Sequence, residues 1–213
     1  MLAEHPAPPL SSPADGPPGA TLASRHGGWL AIGAWLLVLC IGFGLAIDFE
    51  AKPGQSADAT AWPADTRLSL AASGKTLVMF LHPECPCSAA SLDELEKLLA
   101  HASAPTKTFV VFVHARPTDP QTDNLARASQ IPGAAIEVDT EGEEARRFGS
   151  RTSGDLFIFD AAGQLEFEGG ITPSRGHVGP GTCSDAAAAA IASLSDHPAR
   201  VPVYGCPLFS APE

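Results

Sequence analysis

Positive charge is scarce in this chain. Its 213 residues hold 13 Lys and Arg against 24 Asp and Glu, a formal net charge of −11. Nucleic-acid binding needs clustered cations, so the balance argues against nucleic acid as a partner. The same shortage argues against a polybasic binder of anionic membrane surfaces. Charge of either sign is low, at 17% of residues, where soluble chains carry about 25%. Cysteine is sparse as well. Five thiols are too few for a disulfide-built scaffold, and the chain is too long to need one. Apolar residues are plentiful, at 45%, beside 20 Gly and 20 Pro. That proline share is roughly twice the average and points to a stretch without a core.

The chain divides unevenly. Residues 1–27 carry six prolines in the first twenty positions and read as a disordered tail. Residues 28–47 (GWLAIGAWLLVLCIGFGLAI) hold no charge and no proline. At about 1.5 Å per residue they span a hydrocarbon core of about 30 Å, with Trp29 placed as an interfacial anchor. A cleavable signal peptide is the competing reading. Its apolar core is usually about 7–15 residues with an A-x-A-like cleavage site, which Leu45-Ala46-Ile47 matches poorly. Cys40, mid-span, reads as a small apolar residue. Arg25 precedes the span, whereas Asp48 and Glu50 come before Lys52 on the far side. The positive-inside rule therefore sets the N-terminus in the cytoplasm and the rest outside it, where disulfides persist. Residues 48–62 read as a polar linker and 63–213 as one folded domain.

Within that domain, residues 76–81 (TLVMFL) and 108–113 (TFVVFV) are apolar runs of strand length. Between them, 88–100 (SAASLDELEKLLA) carries Leu92, Leu95, Leu98 and Leu99 at helical spacing, with Ser91 and Glu94 fitting a capping box. A short helix over 124–130, an edge strand at 135–138 and a helix at 141–148 follow. Residues 156–160 and 164–167 form a hairpin around Ala161-Ala162-Gly163, and 185–195, with five consecutive alanines, closes the domain. The order βαβ then αββα predicts a three-layer α/β sandwich of the thioredoxin type, its first two strands parallel.

Directly after the first strand comes His82-Pro83-Glu84-Cys85-Pro86-Cys87-Ser88. Proline suits a first helical turn, where its missing N–H costs nothing. Cys85 and Cys87 therefore sit at a helix N-terminus, whose dipole and free N–H groups favour thiolate. A thiolate is both the nucleophile of disulfide exchange and a soft-metal ligand. His82 beside them is a candidate proton donor or metal ligand. In such a sandwich two further segments converge on this edge. One is Arg151-Thr152-Ser153-Gly154-Asp155. The other runs from Gly169 to His177, where Arg175 and His177 bring positive charge that lowers thiol pKa. The glycine-rich run there lacks the Lys-Ser/Thr of a phosphate loop, so nucleotide binding is rejected.

The motifs HPECPCS, TSGD, GGITPSRGH and YGCPLF, spread over residues 62–209, resemble those of the RedB-type membrane-anchored thioredoxin-like proteins of bacteria. The resemblance implies a thioredoxin fold, an anchor in the bacterial inner membrane, a periplasmic domain and redox-active cysteines. Two features depart from wider thioredoxin-like patterns. The usual Cys-x-x-Cys is shortened to Cys85-Pro86-Cys87, so a disulfide within it closes a strained ring that is easily reduced. Gly154 stands where thioredoxins place a cis-proline in the loop that presents substrate backbone.

The expectation is thus a membrane-anchored extracytoplasmic thiol–disulfide oxidoreductase acting on a protein disulfide or dithiol. Cys85 attacks, and Cys87 or else Cys206 resolves. His82, Arg175 and His177 tune the thiols and move protons, while Ser153 and Gly154 line the site. No cofactor is needed in this reading. A Cys183–Cys206 disulfide is the structural alternative for the two remaining thiols. A second function class is a copper or other soft-metal carrier with His82, Cys85, Cys87 and His177 as ligands. A third is a non-catalytic adaptor on the same fold.

Overall fold

A computed structural model of the chain describes residues 22–114, 122–194 and 197–209. Most of the expected disordered tail, residues 1–21, lies outside these. The chain forms two compact units, residues 1–45 and 46–213.

The first unit holds most of α1 (Leu22–Ala51). The stretch Gly28–Ala51, of mean hydropathy 2.5, is long and apolar enough to cross a membrane, and none of it is buried in the protein. Its large side chains face outward, Trp29 being 71% exposed. The helix runs past the expected end at residue 47 because nothing in Asp48–Ala51 breaks it. It stops at Lys52-Pro53, where proline disfavours helical geometry in the residue before it.

The second unit builds the expected three-layer sandwich. Its elements are β1 (Lys75–Leu81), α2 (Pro86–Ala100), β2 (Thr106–Val113), α3 (Asp123–Ala128), β3 (Ala134–Asp139), α4 (Glu143–Arg147), β4 (Asp155–Phe159), β5 (Leu165–Gly169), α5 (Thr182–Ile191) and β6 (Ala199–Arg200). The sheet order is β3-β2-β1-β4-β5-β6. β1 and β2 are parallel, as a crossover through α2 requires, while β4 is antiparallel to β1 with Phe80 opposite Asp155. All seven residues of β1 are buried, the mark of a strand covered on both faces.

Alternation along the strands splits the core. Leu77, Met79 and Leu81 meet Leu92, Leu95 and Leu98 of α2 and Ala187, Ala190 and Ile191 of α5. On the opposite face Val78 and Phe80 meet Phe148, Phe157 and Phe159, with Phe148 packing at a tilt against Phe80 and Phe157.

Two local expectations are corrected, and one strand is added. Helix α2 begins at Pro86, so Ser91 is already helical and cannot cap. Its hydroxyl back-bonds to the Cys87 carbonyl, and Glu94 accepts from Lys97 and from the Gly179 N–H. Residues 53–62 are not a free linker but a strap along the domain. Gly54 N–H donates to the Val203 carbonyl and Ala57 N–H to Glu168, and the Trp62 ring packs edge-on against Phe148 and Phe159. Strand β6, two residues long and parallel to β5, is too short to leave a periodic signal.

Asp155 is fully buried at the start of β4, and no described residue gives either carboxylate oxygen a well-formed hydrogen bond. Burial pushes its carboxyl well above the ordinary range and the Glu168 carboxylate pushes the same way; Ser150 and Arg200 oppose this only in part. The fold therefore keeps Asp155 protonated at pH values where the unfolded chain ionises it. The stability tied to this proton is complete below the ordinary carboxyl range and falls as pH rises above it. Asp155→Asn removes the linkage. Thermal melts across pH are expected to show the variant gaining on the wild type from acid to neutral pH, and a pH-independent difference would contradict this.

Candidate functional site

The site forms where β1 ends, α2 begins and β4 begins. Cys85 is the N-cap of α2, with extended backbone (φ −74°, ψ 123°), and Pro86 opens the first turn. Cys87 follows inside that turn, so both thiols sit among the free N–H groups of the helix N-terminus, as the sequence predicted.

The motif loop is fixed from three sides. His82 N–H donates to Ser153 Oγ (2.9 Å), and Ser88 Oγ donates to the His82 carbonyl (2.9 Å). Ser88 and Ser153 hydroxyls lie 3.0 Å apart, so β4 and α2 are joined through side chains directly behind the motif. From α3, the buried Asn124 amide donates to the carbonyls of Pro83 (2.8 Å) and Cys85 (3.0 Å). Gly154 N–H donates to the Phe80 carbonyl (2.8 Å). Its φ of +95° and the approach of Ser91 Oγ, 2.8 Å from where a Cβ would stand, explain why a glycine occupies this position.

The third sulfur comes from far along the chain. The segment 204–208 runs antiparallel to 151–153. Ser153 N–H donates to the Cys206 carbonyl and Leu208 N–H to the Arg151 carbonyl, both at 2.8 Å, with Thr152 opposite Pro207. This places Cys206 Sγ 2.9 Å from Cys85 Sγ in a shared hydrogen bond. The sulfurs of Cys85, Cys87 and Cys206 all lie within 4.8 Å of one another. All five cysteines are free here, and Cys183, buried in the first turn of α5, is not part of the trio.

The three thiols differ in acidity. Burial raises Cys85, but hydrogen bonds from the Cys206 thiol, the backbone N–H groups of Cys87 and Cys206 and the Cys87 thiol outweigh it, so Cys85 falls below an ordinary thiol. Cys87 is raised by burial and by the charge and hydrogen bonding of Cys85, with Cys206 and Arg175 opposing. Cys206 is pushed up to about 12 by burial and then by Cys85. Cys85 is thus the most acidic of the three, and its ionised form is favoured by two neighbours that hold their own protons more tightly.

The basic residues take other roles. Arg175 donates to the Gly205 carbonyl, to Lys52 O (3.2 Å) and to Phe49 O (3.4 Å), and lies over the Phe49 ring at 4.6 Å. Its charge reaches Cys87, but its hydrogen bonds hold the segment that carries Cys206. His177 is exposed, with Nδ1 2.9 Å from the Arg175 carbonyl and Nε2 4.0 Å from Glu50, and does not join the sulfurs. His82 is half-buried, its Nδ1 accepting from Glu84 N–H (3.2 Å). Burial lowers its pKa, Glu84 raises it and His114 lowers it, for a net fall that favours the neutral imidazole. Asn124, Ser88 and Gly205 had not been singled out from sequence. Ser88 and Gly205 adjoin cysteines and were open to notice, but nothing near Asn124 in sequence points to the site.

No protein-family model matches this chain, and no curated protein matches it. Solved structures do. A conserved protein from Geobacillus kaustophilus aligns with 77% of this chain and 93% of its own, at 20% identity and a TM-score of 0.54. A hypothetical protein from Sinorhizobium meliloti 1021 aligns with 75% of this chain and 93% of its own, at 18% identity and a TM-score of 0.52. A thioredoxin-like protein from Aeropyrum pernix gives 13% identity and a TM-score of 0.43, over 75% of this chain and 99% of its own. The likeness is one of fold.

Removing the Cys206 donor destabilises the Cys85 thiolate. In Cys206→Ala, the pH midpoint of Cys85 ionisation, followed by thiolate ultraviolet absorbance, is expected to move to higher pH. An unmoved midpoint would show that the sulfur–sulfur hydrogen bond is not what holds the charge.

Proposed function

We propose that this protein is a thiol–disulfide oxidoreductase, anchored in a bacterial membrane by α1 with its domain outside the cytoplasm, and that its working pair is Cys85 and Cys206. The observation that carries this reading is the 2.9 Å approach of those two sulfurs, with the acidic one at a helix N-terminus. The RedB-type motifs named above support the same reading.

The Cys85 thiolate attacks one sulfur of a partner disulfide, forming a Cys85–partner bond and releasing the other partner sulfur as a thiolate. Much of what suppresses Cys206 is the neighbouring Cys85 thiolate. Once Cys85 is in a mixed disulfide that charge is gone, and Cys206 loses its proton more readily. Cys206 then attacks Cys85 Sγ, forming Cys85–Cys206 and releasing the second partner thiolate. The partner gains two electrons and the pair loses two. The Cys206 proton leaves to solvent, to which that residue is partly exposed. Cys87 supports the thiolate by hydrogen bonding and avoids the strained ring that pairing with Cys85 demands.

The proposal is checked by reduction of insulin or a small aromatic disulfide by the full chain in detergent. Cys85→Ser is expected to fall to the uncatalysed rate. Cys206→Ser is expected to stall as a mixed disulfide visible by mass, and Cys87→Ser to keep turning over. Wild-type activity in Cys85→Ser would reject the assignment.

A second reading is favoured by one observation, the three sulfurs within 4.8 Å. Clustered thiolates suit a soft monovalent ion such as Cu(I), and the ligand set is then Cys85, Cys87 and Cys206, with neither His82 nor His177 in it. Anaerobic titration against a Cu(I) chelator is expected to give one ion per chain, lost equally in Cys85→Ser and Cys206→Ser. Unchanged affinity in Cys206→Ser would reject the three-sulfur site.

A further inference from the structure

Cys85 is only 4% exposed, although a redox partner has to reach its sulfur. Much of the obstruction is the chain's own C-terminal segment. The 151–153 edge offers one N–H and one carbonyl to an antiparallel neighbour, and residues 204–208 take both through Cys206 O and Leu208 N–H. Pro207, between them, has no N–H, and at that position of the register none is used. The segment thereby presents a cysteine in extended backbone, its sulfur against Cys85. A foreign polypeptide would have to present its own sulfur from the same direction.

We infer that residues 204–208 are a tethered stand-in for the redox partner, seated on the partner's own docking edge, and that the partner is an extended polypeptide with a glycine directly before its reactive cysteine. This deepens the oxidoreductase reading and rests on it. The glycine requirement comes from Gly205. A Cβ there would lie 1.7 Å from the Ser153 carbonyl oxygen, an overlap that no side chain relieves. Any chain bound in the same register to the same edge meets the same carbonyl. After the cysteine, proline is acceptable, and two residues on an apolar side chain fits the place of Leu208, which is 2% exposed among the aromatic residues of the core.

The arrangement gives one edge two occupants in turn. The partner strand displaces 204–208 as its disulfide reaches Cys85. When the mixed disulfide has formed, the returning segment competes for the Arg151 and Ser153 backbone groups and brings Cys206 onto Cys85, so resolution and release of the partner are one event. The segment suits exchange. It makes a single isolated bridge to the domain at Thr152, held further by Arg175 on the Gly205 carbonyl and by the Leu208 side chain, and sparsely bonded segments open most readily.

The test uses stoichiometric trapping rather than turnover. The full-length Cys206→Ser chain in detergent is mixed with the peptides Ala-Gly-Cys-Pro-Leu or Ala-Val-Cys-Pro-Leu, each activated as a 2-thiopyridyl disulfide. Cys85 attacks the peptide sulfur, the S–S bond breaks and pyridine-2-thione is released and counted; the rate of a Cys85→Ser/Cys206→Ser chain is subtracted. The glycine peptide is expected to react about tenfold faster than the valine peptide, the discrimination a backbone clash imposes. Adding Gly205→Val, which unseats the chain's own segment, is expected to raise the glycine-peptide rate further and to keep the preference. Equal rates for the two peptides would overturn the inference and leave the redox reading intact. A Cys85 that reacts with neither peptide nor with free dithiodipyridine would overturn the redox reading itself.

Discussion

A buried negative charge needs donors, and the site is organised around supplying them to one sulfur. Cys85 sits in a place where burial alone would hold its proton on. The start of α2, the backbone N–H groups of Cys87 and Cys206 and two neighbouring thiols reverse that outcome. The other constraints follow. Pro86 must open the helix so that the N–H groups point at the sulfur. Gly205 must be bare so that the distal segment lies close enough to bring Cys206. Arg175 must hold the Gly205 carbonyl rather than face solvent. Burial first and then the neighbouring Cys85 sulfur raise the other two thiols, so the three differ in acidity rather than being equivalent.

The scaffold supplies the rigidity this needs. β1 is buried on both faces and delivers His82 at a fixed height, while β4, antiparallel beside it, returns Ser153 and Gly154 to the same level. The hydroxyl pair Ser88–Ser153 and the Asn124 amide lock the turn between them. Asp155, one residue beyond Gly154, is left protonated within this frame, a cost in stability close to where the chemistry lies.

Much of this was legible in the sequence. The runs at 76–81 and 108–113 and the leucine spacing over 92–99 fixed β1, β2 and α2, because buried strands and amphipathic helices leave periodic signals. The placement of Cys85, Cys87, Ser153 and Gly154 at one edge followed from topology. The seating of Cys206 against Cys85 did not, since that sulfur lies 121 residues away and its segment is paired by one bridge, which has no periodicity. The strap at 53–62 looked like a linker because it packs through backbone groups, which composition does not report. His177 and Arg175 were placed at the site by topology and given a role there by charge. Arg175 turned out to bind carbonyls, and His177 faces Glu50, because in so acidic a chain the nearest carboxylate competes for any cation.

Arg175 also ties the two ends of the second unit together. The same guanidinium donates to the carbonyls of Phe49 and Lys52, at the close of α1, and to that of Gly205, beside Cys206. The working domain thus has its true border inside the last turns of the apolar helix. A fragment trimmed at Pro53 would keep the Arg175–Gly205 bond but lose the Phe49 and Lys52 carbonyls and the Phe49 ring that steady the guanidinium. The hold on Gly205 therefore rests in part on backbone at the end of the apolar helix.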